Sequence, residues 1–176
     1  YHYFMIQLIS EDIVLRRARI NDASAMAAMD NKRKIWDNVR DFFPYPYTLQ
    51  DAWDFISRCE HEDPLITFVI EYKNNLAGVI GLSPQPDVYK VTAELGYWIG
   101  EEWWNKGITT KAVNLIVQYG FVQLEFERIY SGVFEHNKAS QRVLEKAGFT
   151  LEAVLKKAYI KNNVIGNEYR FAKVKD

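Results

Sequence analysis

The stretch Ala93–Ala112 constrains the fold more than any other. Tyr97, Trp98 and Ile99 have strand propensity, Gly100 breaks the run, and Asn105–Lys106–Gly107 supplies turn chemistry. Helical spacing then begins near Ile108. A strand that feeds a loop opening a helix is a ready anion site. The first N–H groups of the helix have no intrahelical acceptor, and the positive end of its dipole points into the loop. A phosphate-bearing ligand is the natural occupant.

The flanking pattern predicts a mixed α/β chain around that stretch. Ile13–Val14–Leu15–Arg16–Arg17–Ala18–Arg19 reads as an edge-like first strand with charged outer positions. Asn21–Asp22 caps a helix carrying Ala23, Met26, Ala27 and Asp30. Residues 31–47 hold Trp36, Phe42, Phe43, Pro44, Tyr45, Pro46 and Tyr47 without a regular period, and read as a wall rather than a linker. Thr48 with Asp51 forms a capping box for a second helix with Ala52, Phe55, Ile56 and Cys59 on one face. Leu65–Tyr72 and Leu76–Leu82 are strands joined by a turn at Lys73–Asn75, and Thr92–Ile99 is the next strand.

After the loop, Ala112, Leu115, Ile116, Tyr119 and Phe121 mark a third helix, and Arg128–Phe134 a further strand. Asn137 caps a short helix that Gly148 ends. Phe149–Lys156 and Val164–Val174 are the last two strands, with a turn at Lys161–Asn163. The expectation is one domain over 5–176, with a seven-stranded sheet and about four helices. The expectation is that Met5 is the native start and that Tyr1–Phe4 are added residues.

Composition removes several classes. With 22 Lys and Arg against 23 Asp and Glu, the net charge of −1 offers no basic footprint for nucleic acid. The single cysteine, Cys59, excludes an internal disulfide and fits a reducing compartment. No apolar run reaches the length of a membrane span, and His61 and His136 have no metal-ligand spacing around them. The expectation is a cytoplasmic protein, monomer or homodimer, without metal, nucleic acid or membrane partner.

Three motifs then converge on a known family. Trp104–Asn105–Lys106–Gly107–Ile108–Thr109–Thr110–Lys111–Ala112 resembles the pyrophosphate loop of the GNAT N-acetyltransferase superfamily, which usually reads Arg/Gln-x-x-Gly-x-Gly/Ala. His136–Asn137–Lys138–Ala139–Ser140, followed by Val143–Leu144–Glu145–Lys146–Ala147–Gly148–Phe149, resembles its second motif. Glu94–Gly100 and Asn38–Thr48 resemble the RimJ/RimL-like branch, the ribosomal-protein N-terminal acetyltransferases. Trp104 stands where the family has Arg or Gln, and Thr109 where it has Gly or Ala; both departures are tolerable if backbone N–H groups do the binding.

The resemblance implies a GNAT-like acyl-CoA N-acyltransferase fold: a twisted, mostly antiparallel sheet with splayed central strands. It implies acetyl-CoA as co-substrate, with pyrophosphate on Asn105, Lys106, Gly107, Ile108, Thr109 and Thr110. Trp98, Ile99, Gly100 and Trp104 would border pantetheine, and Asn137 and Ser140 the reacting end. In the matching branch the serine protonates the departing thiolate, a role that falls here on Ser140; its bland alternative is a local hydrogen bonder in the first helical turn. Asn137 is an N-cap, a contact to the reacting centre, or both. Glu94 is the candidate base, or else a salt-bridged surface acid; Glu94, Gly96 and Trp98 share one face of their strand, and Leu95, Tyr97 and Ile99 the other. Trp36, Asp41, Tyr45 and Tyr97 are candidates for the acceptor cleft, with Asp41 able to hold a cationic amine. The acceptor is a protein N-terminal α-amine or a small amine such as a polyamine, antibiotic or amino acid. A non-catalytic acyl-CoA-binding module is the competing class.

Overall fold

The computed structural model describes residues 6–176, so the reading of Tyr1–Phe4 and Met5 lies outside the described residues. The chain forms β1 (Gln7–Ser10), β2 (Ile13–Arg16), α1 (Ala23–Asp30), α2 (Arg33–Trp36), α3 (Leu49–Glu60), β3 (Thr67–Tyr72), β4 (Asn75–Pro84) and β5 (Thr92–Ile99). It continues through α4 (Ile108–Val122), β6 (Arg128–Phe134), α5 (Lys138–Lys146), β7 (Thr150–Lys161) and β8 (Val164–Val174). The strands make one 8-stranded sheet in the order β1-β2-β3-β4-β5-β6-β8-β7. Every pairing is antiparallel except β5 with β6.

Three differences from the sequence expectation stand out. The sheet has eight strands rather than seven, because Gln7–Ser10 folds back on β2 and takes the edge position expected for Ile13–Arg19. That segment has four residues, all at least partly exposed, so it carries no hydrophobic alternation to read. The aperiodic segment after α1 contains a single helical turn, α2, giving five helices among the described residues. β7 also runs on to Lys161 through an irregularity between Leu155 and Tyr159, where the expectation ended at Lys156.

Helices cover both faces. α4 and α5 pack with Phe68, Leu95, Ile129 and Phe171 in the larger core cluster. Six α4 residues with helical spacing, Ile108, Ala112, Val113, Ile116, Val117 and Tyr119, are buried there. Each large aliphatic side chain removed from water is worth about 1.5–3 kcal/mol. On the other face Met26, Ile35, Phe43, Tyr47, Ala52 and Ile56 close over Val69 and Val79, with Trp98 packed against them. The capping box at the start of α3 is present: Thr48 Oγ1 accepts from the Asp51 N–H at 3.2 Å, and Asp51 accepts from the Thr48 N–H at 2.7 Å. Asp22 instead turns to Arg16, which donates to both its carboxylate oxygens at 2.8 and 2.9 Å.

Asp30 is the exception in this second core. It closes α1 with 0% exposure; Oδ1 accepts from Trp98 Nε1 at 3.0 Å and Oδ2 has no partner among the described residues. Burial pushes its carboxyl up to about 8, and the charge of Glu102 adds to the rise. The native state therefore keeps a proton that the unfolded chain loses above the ordinary carboxyl value, so this group costs stability progressively as pH climbs toward 8. Asp30→Asn should gain stability over the wild type, by a margin that widens up to about pH 8 and then levels. Thermal melts of both proteins from acid to mildly alkaline pH check this, and a margin independent of pH contradicts it.

Candidate active site

The site begins where two strands part. β5 pairs with β4 along its length, from Pro84 opposite Ala93 to Gly78 opposite Ile99. It pairs with β6 only at Thr92, Ala93 and Glu94, opposite Arg128, Ile129 and Tyr130. Beyond that point β6 stays with β8 as far as Phe134, and a gap opens beside Leu95–Ile99. Ser131 Oγ donates to the Leu95 carbonyl at 2.9 Å across the opening, which shows that Leu95 points its backbone groups toward β6. In a strand the backbone groups alternate between edges, so those of Tyr97 and Ile99 point the same way. The Gly100 N–H, by contrast, donates to Ala77 at 2.9 Å on the β4 side.

At the end of β5 the chain turns through Glu101–Trp103 and enters the loop before α4. Asn105 and Gly107 have φ of 59° and 75°, the left-handed region that Asn and Gly tolerate best. Gly107 is the N-cap of α4 and no side chain caps that turn. A Cβ added to Gly107 would meet nothing within 4 Å, so the loop leaves open space beside the helix start. The Trp104 indole Nε1 donates to the Ile99 carbonyl at 2.9 Å and so ties the loop to the strand end. Lys106 sits exposed over the Trp103 ring at 4.9 Å.

Of the residues named around this loop, Ile99 is tied to Trp104, and Asn105, Lys106, Gly107, Thr109 and Thr110 follow at the helix start, while Ile108 turns its side chain into the core. Trp98 and Gly100 do not join this group. The Trp98 ring lies edge-on to Phe43 and Phe55 on the α1–α3 face, and Gly100 is buried against Met29.

α5 brings Asn137 and Ser140 to the same gap. Asn137 Oδ1 accepts from the Ser140 N–H at 3.1 Å, so its capping role is present. The Ser140 and Tyr97 hydroxyls lie 2.6 Å apart, and burial pushes the Tyr97 phenol up to about 12. Tyr97 therefore belongs to the α5 side of β5, with Ser140, and not with the acceptor wall where sequence reasoning grouped it.

Glu94 lies on the opposite face of β5, where it accepts from Arg40. Gly96 is next on that face, and a Cβ there would meet nothing within 4 Å. Strand register adds neighbours that the sequence did not single out. Tyr130, Gly132 and Phe134 of β6 stand opposite Ala172, Arg170 and Glu168 of β8. Arg170 stacks 5.0 Å from the Tyr130 ring and donates to Glu168 at 2.7 Å. The alternation of polar residues at Glu168 and Arg170 was the available signal.

The wall at residues 33–45 is latched to the tip of the β7–β8 hairpin. Lys161, 5% exposed, places its ammonium 3.5 Å from the Trp36 ring centre and donates to Asp41 at 2.6 Å. Asn162 donates to Asp37 at 2.9 Å and accepts from Arg33 at 3.1 Å. Asp41 thus already pairs through Oδ1 with the chain's own lysine, while its side chain stays 66% exposed. Tyr45 packs on Trp36 with ring centres 5.8 Å apart, Phe43 is buried, and Phe42 is 84% exposed. Lys161 read as a turn residue in the sequence, since nothing local marks a lysine as buried.

Known proteins share this fold. Residues 12–150 match the acetyltransferase (GNAT) domain family. The chain belongs to the GNAT acetyltransferase family. It is 33% identical over 153 residues (82% of this chain, 81% of the other) to the Bacillus subtilis protein provisionally named ribosomal N-acetyltransferase YdaF. It is 26% identical over 162 residues, 92% of this chain and 85% of the other, to the spermidine N(1)-acetyltransferase of Escherichia coli K12. Two further Bacillus subtilis relatives, YjcK and YoaA, are matched over only 36% and 49% of their own lengths.

Among solved structures, the microcin self-immunity acetyltransferase MccE in complex with acetyl-CoA and AMP superposes with a TM-score of 0.81 at 27% identity, covering 94% of each chain. RimL in complex with coenzyme A shares the fold, with a TM-score of 0.84 at 20% identity over 97% of this chain and 99% of that one. Among the described residues no helix is long and apolar enough to cross a membrane, and no group of three or more His, Cys, Asp or Glu is placed to hold a metal ion.

The latch has a measurable consequence. Lys161→Met keeps the length and loses the charge. It should cost about 1–2 kcal/mol, with Asp41 solvated and the ring contact partly desolvated. Amide exchange should quicken across residues 33–41 and stay unchanged in β5, as hydrogen-exchange mass spectrometry would show.

Proposed function

We propose that this chain transfers acetyl from acetyl-CoA directly to the α-amine of a protein N-terminus, without a covalent enzyme intermediate. The parting of β5 and β6 beside an uncapped helix start is the observation that carries the donor half. Backbone groups of Tyr97 and Ile99 pair with pantetheine, and the N–H groups of 105–110 take the pyrophosphate. The resident of the gap would then carry its thioester to the region between Gly96 and Ser140. There the Tyr97 N–H, on the gap edge of β5, is offered to the thioester carbonyl. Ser140 donates a proton to the departing thiolate, and Glu94 takes one from the attacking amine directly or through water.

Charge pairing supports the choice of acceptor. Glu94 has Arg40, Glu168 has Arg170, Asp41 has Lys161 and Asp37 has Arg33. Around the gap each of these acids is already matched by a cation, which is a poor reception for a polycation. An α-amine also needs less help: with a pKa near 7.7–8.0 roughly one in ten is neutral at pH 7, against a few in ten thousand for a lysine-like amine near 10.4. The relative provisionally named a ribosomal N-acetyltransferase points the same way. The likeness to spermidine N(1)-acetyltransferase over 92% of the chain favours a second reading, a polyamine acceptor.

Release of CoA from acetyl-CoA, followed with a short N-terminal peptide and with spermidine, separates the two. The expected result is a kcat/KM at least about tenfold higher for the peptide; the reverse ratio establishes the polyamine reading, and tight acetyl-CoA binding without turnover on either leaves a binding module. Gly107→Val tests the donor half. A branched residue at φ 75° is strained and projects into the open space beside the helix start. Calorimetry should show acetyl-CoA affinity reduced by about tenfold or more, since about 1.4 kcal/mol is one factor of ten; unchanged affinity removes this loop from the site.

A further inference from the structure

The Tyr97–Ser140 contact does more than pack β5 against α5. The Tyr97 hydroxyl is 2.6 Å from Ser140 Oγ and 3.5 Å from the Ser140 carbonyl oxygen, so its one short partner is the serine hydroxyl. Of the two, the phenol is the better donor. With Tyr97 donating, the serine's own proton is freed to point elsewhere. Both side chains sit at the gap: Tyr97 belongs to the strand segment that lines it, and Ser140 lies in the first turn of α5, where the helix dipole favours negative charge.

A lone serine is an awkward proton donor in such a place. Giving up its proton would leave an alkoxide, a stronger base than the thiolate it had protonated. A second acid behind it eases that difficulty by letting the charge come to rest on a phenol oxygen, a much weaker base than an alkoxide.

We propose that Tyr97 is a positioning residue that acts through Ser140, holding the serine hydroxyl toward the departing sulfur and replacing its proton as the thiolate leaves. This rests on the assignment of Ser140 in the proposed function and deepens it. As the amine nitrogen bonds to the thioester carbonyl carbon, the C–S bond breaks with its electron pair going to sulfur. The Ser140 Oγ proton passes to sulfur, and the Tyr97 proton passes to Ser140 Oγ. The tyrosinate regains a proton from solvent, to which Glu94 returns the one it took from the attacking nitrogen. No group is consumed, and the proton count closes.

Burial holds the Tyr97 phenol in its protonated form across the neutral range, so it is present as a donor when the thiolate departs. A tyrosine on β5 is also easy to overlook from sequence. The hydroxyl reaches Ser140 across 43 residues of chain, and strand alternation alone does not say which helix lies over that face.

The test is a double-mutant cycle with Tyr97→Phe, Ser140→Ala and the pair, using acetyl-CoA and the short N-terminal peptide at saturation. Tyr97→Phe should lower kcat about 10- to 100-fold with the KM for acetyl-CoA within about twofold, and should add nothing further in the Ser140→Ala background. The solvent deuterium isotope effect on kcat should rise in Tyr97→Phe, because proton delivery to sulfur becomes limiting. Equal losses from Tyr97→Phe in both backgrounds, or a loss seen as raised acetyl-CoA KM with a lowered Tm, reduce Tyr97 to packing and overturn the proposal. An undiminished kcat in Tyr97→Phe alone overturns it while leaving Ser140 in place. An undiminished kcat in Ser140→Ala overturns the serine assignment itself, and the relay with it.

Discussion

The parting of β5 and β6 after Glu94 and Tyr130 is the constraint on which the rest of the site depends. A sheet normally satisfies each strand's N–H and C=O groups with a neighbour, and leaving them unpaired inside a protein is costly. Here the opening begins with a substitute bond, Ser131 Oγ to the Leu95 carbonyl, and ends with another, Trp104 Nε1 to the Ile99 carbonyl. Between them the Tyr97 backbone is left for an extended ligand. The two side-chain bonds bracket the gap, and both come from residues whose types give no hint of that use in a linear reading.

The two faces of β5 then serve different ends for a geometric reason. Successive side chains alternate, so one strand serves two layers. Tyr97 reaches α5 and Ser140, while Glu94 and Gly96 face the wall held by Arg40 and the β7–β8 tip. In the proposed function, donor and acceptor chemistry meet across this single strand, with backbone in the middle. Trp98, on the acceptor face but one step further along, is spent on packing against Phe43 and Phe55 and on the buried carboxyl of Asp30.

What the sequence could disclose follows from range. Local signals survived: the Thr48–Asp51 box, the left-handed Asn105 and Gly107, the Asn137 cap and the alternation along β5 are all set by residues a few positions apart. Contacts made across the chain were not legible. Lys161 meets Asp41 over a separation of 120 residues, and Tyr97 meets Ser140 over 43. That is why Asp41 looked free and Tyr97 looked turned toward the acceptor. β1 escaped for a different reason, since four part-exposed residues bury too little to leave a pattern. The family resemblance supplied what local physics could not, the pairing of the loop with the α5 motif, and the match over residues 12–150 agrees with it.

The central claim is that the donor lies in the β5–β6 gap with its phosphates at the start of α4. Titrating CoA into isotope-labelled protein while following backbone amide resonances tests this most directly. The account predicts that Tyr97, Ile99, the amides from Asn105 to Thr110, and Ser140 move together with one affinity, while β1 to β3 stay still. Shifts confined to other surfaces, with the amides of 97–110 unmoved at saturation, would contradict it.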